Sequence, residues 1–250
     1  GFASIGASAL SVSPRAVEQY EASATEILTA VFNDPARRSQ WFDCDDPSAD
    51  ANCLNSGIAR LGERLWRRPM TMDELNQATR LVRVLKERLR DGWLATRFAV
   101  STLLQSPYFL FRVEFGEDDP DNPGQRRFTN FEMASRLSFL FWNRGPDDPL
   151  IADARDGRLT TENGLREAAS RLAADPRSRM AIVAFFAEYL DLDRLPQLEK
   201  DRSAFNLMSD TLGAAMKTEI EGIVERIVYD DNDDIRVLLT TRKTRINSEL

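Results

Sequence analysis

A chain of 250 residues carries 33 basic and 40 acidic side chains, a net charge of −7, with the two signs alternating along its length. That balance leaves no basic stripe for nucleic acid, because phosphate binding needs a positive surface. Histidine is absent and cysteine occurs twice, which excludes within these residues the Ser-His-Asp and Cys-His nucleophile pairs, His-ligated zinc or iron, a four-thiolate site and C-x-x-C-H haem attachment.

Apolar residues make up 42%, ordinary for a globular protein, and the length suffices for one large helical domain or two modest ones. The chain opens on Gly and reads as a fragment or a processed product, so the missing leader decides nothing. No run approaches the ~18 uninterrupted apolar residues of a membrane span.

Helical periodicity dominates from the start. Val17, Tyr20, Ala24, Ile27 and Val31 recur at three- and four-residue steps, with Ser13 placed to cap the helix and Pro14 in its first turn. Cys44 and Cys53 follow, nine positions apart in FDCDDPSADANCL, a stretch able to turn back on itself. Spacing allows either a small disulfide-closed loop or two unpaired thiols.

Leu54, Ile58, Leu61 and Leu65 mark the next helix. Leu75, Ala78, Val82, Leu85 and Leu89 mark another, opened by a capping box of Thr71 and Glu74. WRRP at Trp66–Pro69 is expected to stay solvated, its Arg stems covering apolar surface. A further helix is expected over Trp93–Gln105, and YFLFRVEF after Ser106-Pro107 reads as a helix turn or an extended piece. GEDDPDNPGQRR, Gly116 to Arg127, has no apolar side chain and reads as a surface linker and domain boundary.

A second capping box, Thr129 and Glu132, opens a helix that runs to about Trp142. In ASRLSFLFWNRGPDD, Leu137, Phe139, Leu140, Phe141 and Trp142 crowd into six positions. Arg136 and Arg144, and the short length, exclude a membrane span. The segment reads as a central helix packed on several sides, with Phe139, Phe141 and Trp142 in the core. Arg136 would then be buried and need an acidic partner; Glu188, Glu219 and Glu225 on later helices are the candidates.

Asp147 is placed to cap a short helix closed by Gly157. Another helix spans about Thr161–Ala174, and Asp175-Pro176 starts one reaching about Leu190. A long helix over Ser209–Tyr229 aligns Leu212, Met216, Ile220, Ile223 and Ile227. A last turn or two carries Ile235, Leu238 and Leu239. No segment alternates with a two-residue period. The expected fold is therefore all-α, a bundle-like or orthogonal array of about ten helices with no substantial sheet.

Chemistry finds little purchase. Asp119–Gly124 lacks the fifth- and twelfth-position ligands of a calcium loop, and Asp230–Asp234 lacks its glycine. A carboxylate pair could run acid–base chemistry without histidine, but Glu219 and Glu221 are two apart and are expected on different helix faces, and Glu188 meets Glu219 only if their helices pack. The expectation is no catalytic, cofactor or metal residue in these 250.

Three groups of segments carry a family resemblance. GFASIGASALSVSP (Gly1–Pro14) resembles the end of one planctomycete secreted domain, of the PSD3 type. LGERLWRRPMTMDEL (Leu61–Leu75) and LLQSPYFLFRVE (Leu103–Glu114) resemble a second, of the PSD5 type. FEMASRLSFLFWNRGPDDPL (Phe131–Leu150), RLAADPRSR (Arg171–Arg179), AFFAEYLDLDRL (Ala184–Leu195) and TRINSEL (Thr244–Leu250) resemble a third, of the PSD4 type.

The resemblance implies four segments: 1–52 as the end of a preceding helical module with the Cys44/Cys53 loop, 53–115 as a helical module, 116–127 as a linker and 128–250 as a second module. It implies an extracytoplasmic home, in which Cys44 and Cys53 form a disulfide. It also implies that a cytochrome-like domain of the same parent chain, or a neighbouring secreted protein, is the partner, with haem elsewhere in the parent and none here. Family company says nothing of this chain's own chemistry. Three readings follow: a non-catalytic scaffold or interaction module, a carboxylate-dependent polysaccharide hydrolase, and a docking platform for a haem domain or neighbouring protein.

Overall fold

The computed structural model describes residues 12–206 and 208–246. The likeness read in Gly1–Pro14, and the end of TRINSEL, therefore lie largely outside the described residues. The fold is all-α. Its helices are α1 (Pro14–Phe32), α2 (Pro35–Arg38), α3 (Ala51–Trp66), α4 (Met72–Leu89), α5 (Gly92–Leu104), α6 (Pro107–Leu110), α7 (Asn130–Trp142), α8 (Asp148–Arg155), α9 (Glu162–Ala174), α10 (Arg177–Tyr189) and α11 (Leu212–Glu225). Short 3₁₀ turns occupy Arg158–Thr160, Leu192–Gln197 and Ile235–Leu239, and a π turn over Arg226–Asp230 prolongs α11.

The helix starts follow their caps. The Ser13 side chain accepts from Ala16 N, Asp50 from Asn52 and Cys53 N, Asp91 from Leu94 N, and Asp147 from Leu150 N. Each bond satisfies a first-turn amide that has no partner inside the helix. Both halves of the Thr71–Glu74 box form.

Two compact units emerge. The larger takes in residues 12–138 and 145–168, the smaller 139–144 and 169–246. In the larger unit α5 is the buried helix: Ala95, Thr96, Ala99 and Val100 are fully covered. Their small size lets α1 and α4 close on it. α3 contributes Leu54, Ile58 and Leu61 as its periodicity predicts, and α4 buries Ala78 and Val82.

α1 differs from the expectation. It buries Ala24, Leu28 and Phe32, while Val17 and Ile27 stand in solvent. Two stripes overlap in its sequence, and the core selects the one ending in the larger anchor. The Phe32 ring lies 6.1 Å from the rings of both Phe42 and Trp93.

Cys44 and Cys53 form a disulfide, with their Cα atoms 6.3 Å apart. It ties the loop before α3 to that helix. Trp93 donates to Asp45 O at 2.6 Å, and Lys86 pairs with Asp46. Opening so short a loop is expected to cost roughly 2–3 kcal/mol in the chain-entropy model. Thermal unfolding of Cys44→Ser/Cys53→Ser against the wild type measures it; coincident melting curves would contradict the loop's role.

The expected linker at 116–127 is a hairpin inside the larger unit. β1 (Glu117–Asp118) pairs antiparallel with β2 (Arg126–Arg127), Glu117 opposite Arg127. Gly116 is required there. Its φ is +67°, and a Cβ would meet Arg127 O at 2.5 Å. Within the smaller unit, α11 lies against the 192–197 turn at Gly213, where a Cβ would meet Leu195 O at 1.8 Å.

Candidate functional site

The residues of WRRPMT and SPYFLF meet in the larger unit. Arg67 ends α3 in the left-handed conformation, φ 59°. That turn sends its side chain inward, where it is 8% exposed. Its guanidinium donates to Tyr108 O at 2.6 Å, Phe111 O at 2.8 Å and Leu65 O at 3.2 Å. The last carbonyls of so short a helix as α6 have no partner of their own, and a cation there also suits the helix dipole. The expectation that Trp66–Pro69 stays solvated is therefore corrected: the corner is pinned by an arginine with its stem and head both covered.

Its neighbours complete the junction. Trp66 donates its indole N–H to Leu103 O at 3.1 Å, and its ring centroid lies 5.4 Å from that of Tyr108. Arg68 grips Glu74 through both carboxylate oxygens, at 2.7 and 2.9 Å, and lies over the Tyr108 ring at 4.5 Å. The bond from Arg68 chiefly holds the Glu74 carboxyl below its usual range and raises the Arg68 value in turn. Glu74 thus serves two ends at once, because the oxygen facing Arg68 Nη1 also accepts from Thr71 N.

The chain then passes into the hairpin and α7 through a seam of its own. Arg136 pairs with Glu114 at 2.7 Å and covers the Phe128 ring at 4.3 Å. The expected buried pairing of Arg136 with Glu188 or Glu219 is corrected. Arg136 stays 47% exposed and takes a partner on the segment just before the hairpin. A pair this wet is worth about 1 kcal/mol or less.

Glu132 does more. Its Oε1 accepts from Phe115 N at 2.7 Å and Gly116 N at 2.9 Å, while Oε2 accepts from Thr129 N at 2.8 Å and Thr129 Oγ1 at 3.0 Å. Burial would raise its pKa, but the amides of Gly116, Thr129 and Phe115 outweigh that and hold it below the usual range. A depressed carboxyl stabilises above its unfolded pKa of about 4.3 and loses that contribution as pH falls through the folded value. Glu132→Gln is expected to lose stability at pH 7 and to show a shallower fall than wild type as the pH drops below about 4.3. Urea unfolding across that range checks it, and parallel acid limbs would contradict it.

Trp66, Arg67, Arg68, Tyr108, Arg112, Glu114, Glu132 and their neighbours wall a cavity of about 240 Å³. In the smaller unit a second groove, of about 440 Å³, runs along α11. It is lined by Glu219, Glu221 and Glu225, with Arg245, Met180 and Ile246 among the rest. Glu219 and Glu221, expected on different helix faces, both line this groove. Thr244 Oγ1 donates to Glu219, and Lys217 reaches Glu221 at 3.7 Å and Asp193 at 2.5 Å. Glu188 is half-buried on α10 and is not among the groove's residues.

Trp142 is 2% exposed, as expected of a core residue. It donates to Leu172 O at 3.0 Å, and the Arg177 guanidinium lies 3.5 Å from its ring centroid. Asp175 receives Arg177 N, Nε and Nη2, each at 2.8 Å, and that clasp chiefly lowers its pKa to about 2. Phe139 and Phe141 are half-buried, and Leu140 is 72% exposed. The helix is thus one-sided around Trp142 rather than covered all round.

Among the described residues no group of three or more His, Cys, Asp or Glu side chains is placed to hold a metal. Asp119 instead accepts from Asp121 N and the Asn122 amide within the hairpin turn. No described helix is long and apolar enough to cross a membrane.

Fold and sites together define a disulfide-closed, all-α module whose distinctive side chains are committed largely to its own structure. Two family models match it: residues 53–114 match PSD5, a protein of unknown function (DUF1595), and residues 128–250 match PSD4, a protein of unknown function (DUF1592). The chain belongs to the planctomycete secreted-domain families, PSD5 followed by PSD4. These two matches do not extend to Gly1–Pro14. No curated protein and no solved structure matches the chain.

Proposed function

We propose that the chain is a non-catalytic helical scaffold or interaction module of a larger extracytoplasmic protein. Its partner is a cytochrome-like domain of the same parent chain or a neighbouring secreted protein, and any haem is held there. One observation carries the reading. The side chains within the PSD5- and PSD4-like segments, from Trp66, Arg67 and Arg68 to Glu114, Arg136 and Trp142, bond to the fold itself. The disulfide supports an oxidising compartment.

Expression of the complete parent protein tests this. A haem spectrum in the parent, retained partners and no spectrum from residues 1–250 alone are expected. Haem bound by residues 1–250 alone would contradict it.

The groove along α11 favours a second reading, a carboxylate-dependent hydrolase acting on polysaccharide. Three glutamates share its wall, and two carboxylates across a sugar are what such chemistry needs. Polysaccharide cleavage that disappears in Glu219→Gln or Glu225→Gln would establish it over the first.

A further inference from the structure

We propose that the 240 Å³ cavity of the larger unit binds the acetamido group of an N-acetylated sugar, with the Ser135 hydroxyl donating to the amide carbonyl. The scaffold and hydrolase readings make no use of this cavity, and the inference stands apart from both.

Ser135 carries it. The residue lies on α7 one turn after Glu132 and is 9% exposed, and the little surface it keeps belongs to the cavity wall. Its carbonyl accepts from Ser138 Oγ at 3.1 Å, but its own hydroxyl has no partner among the described residues. A helical serine ordinarily returns that bond to a carbonyl one turn back, as Ser138 does. A hydroxyl so deeply covered is nearly always hydrogen-bonded, so one left open in a cavity wall calls for a group from outside the fold.

The charged groups of the wall are already bonded. Arg67 donates to the Tyr108, Phe111 and Leu65 carbonyls, Arg68 holds Glu74, and Arg112 is engaged as well. Glu114 keeps Arg136, and Glu132 accepts from the Phe115, Gly116 and Thr129 amides and from the Thr129 hydroxyl. A charged ligand would have to compete for these partners. The group that fits is therefore neutral.

One hydroxyl and one piece of main chain remain. Val113, also in the wall, has no hydrogen bond to its N–H or C=O among the described residues. A secondary amide matches the pair: its carbonyl accepts from Ser135, and its N–H donates to the Val113 carbonyl, which can only accept. The rings of Trp66, Tyr108 and Phe131 offer apolar wall to the methyl group and to the C–H face of a sugar. Sites for drug-sized ligands begin at about 300 Å³. A cavity of 240 Å³ thus suits a single sugar ring and not the successive residues of a peptide.

The indole N–H resonance of Trp66 in the intact chain reports binding, and a Trp66→Phe spectrum assigns it. The probes are N-acetylglucosamine, glucose and the blocked amino acid N-acetylalanine methylamide. Saturable shifts with a Kd of about 1–10 mM are expected for N-acetylglucosamine, with glucose at least about tenfold weaker. The blocked amino acid carries the same amide without the ring and is expected to bind more weakly than the acetamido sugar.

Ser135→Ala is expected to weaken N-acetylglucosamine binding about tenfold without lowering the melting temperature, because alanine suits a helix and no bond within the fold is lost. The site is refuted if N-acetylglucosamine binds no tighter than glucose, or if Ser135→Ala binds as the wild type does. A blocked amino acid that binds as tightly as the sugar would make this a peptide site instead. A lowered melting temperature in Ser135→Ala would show the hydroxyl bonded within the fold, and equally overturns the proposal.

Discussion

Arg67→Met is expected to destabilise the larger unit by about 3–4 kcal/mol, lowering its melting temperature by roughly 10 °C. Methionine fills much of the same volume and inherits the same left-handed backbone, so neither packing nor φ accounts for the loss. The cost comes from Tyr108, Phe111 and Leu65, whose carbonyls lose the donors that Arg67 now gives them. Lysine restores the charge without the fork and is expected to recover less than half. A melting temperature within a degree of wild type for Arg67→Met would mean that water replaces the guanidinium at little cost.

Trp142→Ala carries the second large effect, about 3–5 kcal/mol in the smaller unit. Trp142→Phe keeps most of the ring but drops the bond to Leu172 O and weakens the contact with Arg177, for about 1–2 kcal/mol. Leu140→Ser two positions earlier, on the wet side of α7, is expected to stay within about 0.5 kcal/mol. Denaturant midpoints of the three variants check the sidedness. Equal losses at 140 and 142 would restore the helix covered on every side.

Signals of short reach were legible in the sequence. A cap and its amide lie two or three residues apart, so Ser13, Thr71, Thr129 and Asp147 mark their helices without reference to the rest of the chain. The stripe of α3 is equally local, and the Cys44–Cys53 spacing limits the loop that a disulfide can close. Trp142 was legible as core from the crowding of large apolar side chains over residues 137–142.

Long side chains with several options were not legible. Arg136 was assigned a glutamate on a later helix, yet its partner Glu114 lies 22 residues earlier. A flexible guanidinium pairs with whichever carboxylate the fold delivers, and nothing in the helix period records which one. Arg67 escaped for a related reason. Its task depends on α6, four residues long, arriving with its carbonyls turned toward the end of α3. The one available signal was an arginine at the end of α3, where the turn before Pro69 could send it inward. In α1, two apolar stripes competed, and the periodicity alone does not say which of them meets the core that holds Ala24, Leu28 and Phe32.

The PSD5-like segment and the start of the PSD4-like segment are expected to fold as one, stitched by Glu114–Arg136 and by Glu132 on the amides of Phe115 and Gly116. Native-state hydrogen exchange on the intact chain measures this directly. Amides of α3, α5 and residues 130–138 should open with one common free energy and one denaturant dependence, with Glu132→Gln lowering all of them together. Residues 130–138 exchanging through a separate, cheaper opening that leaves α3 and α5 protected would contradict it.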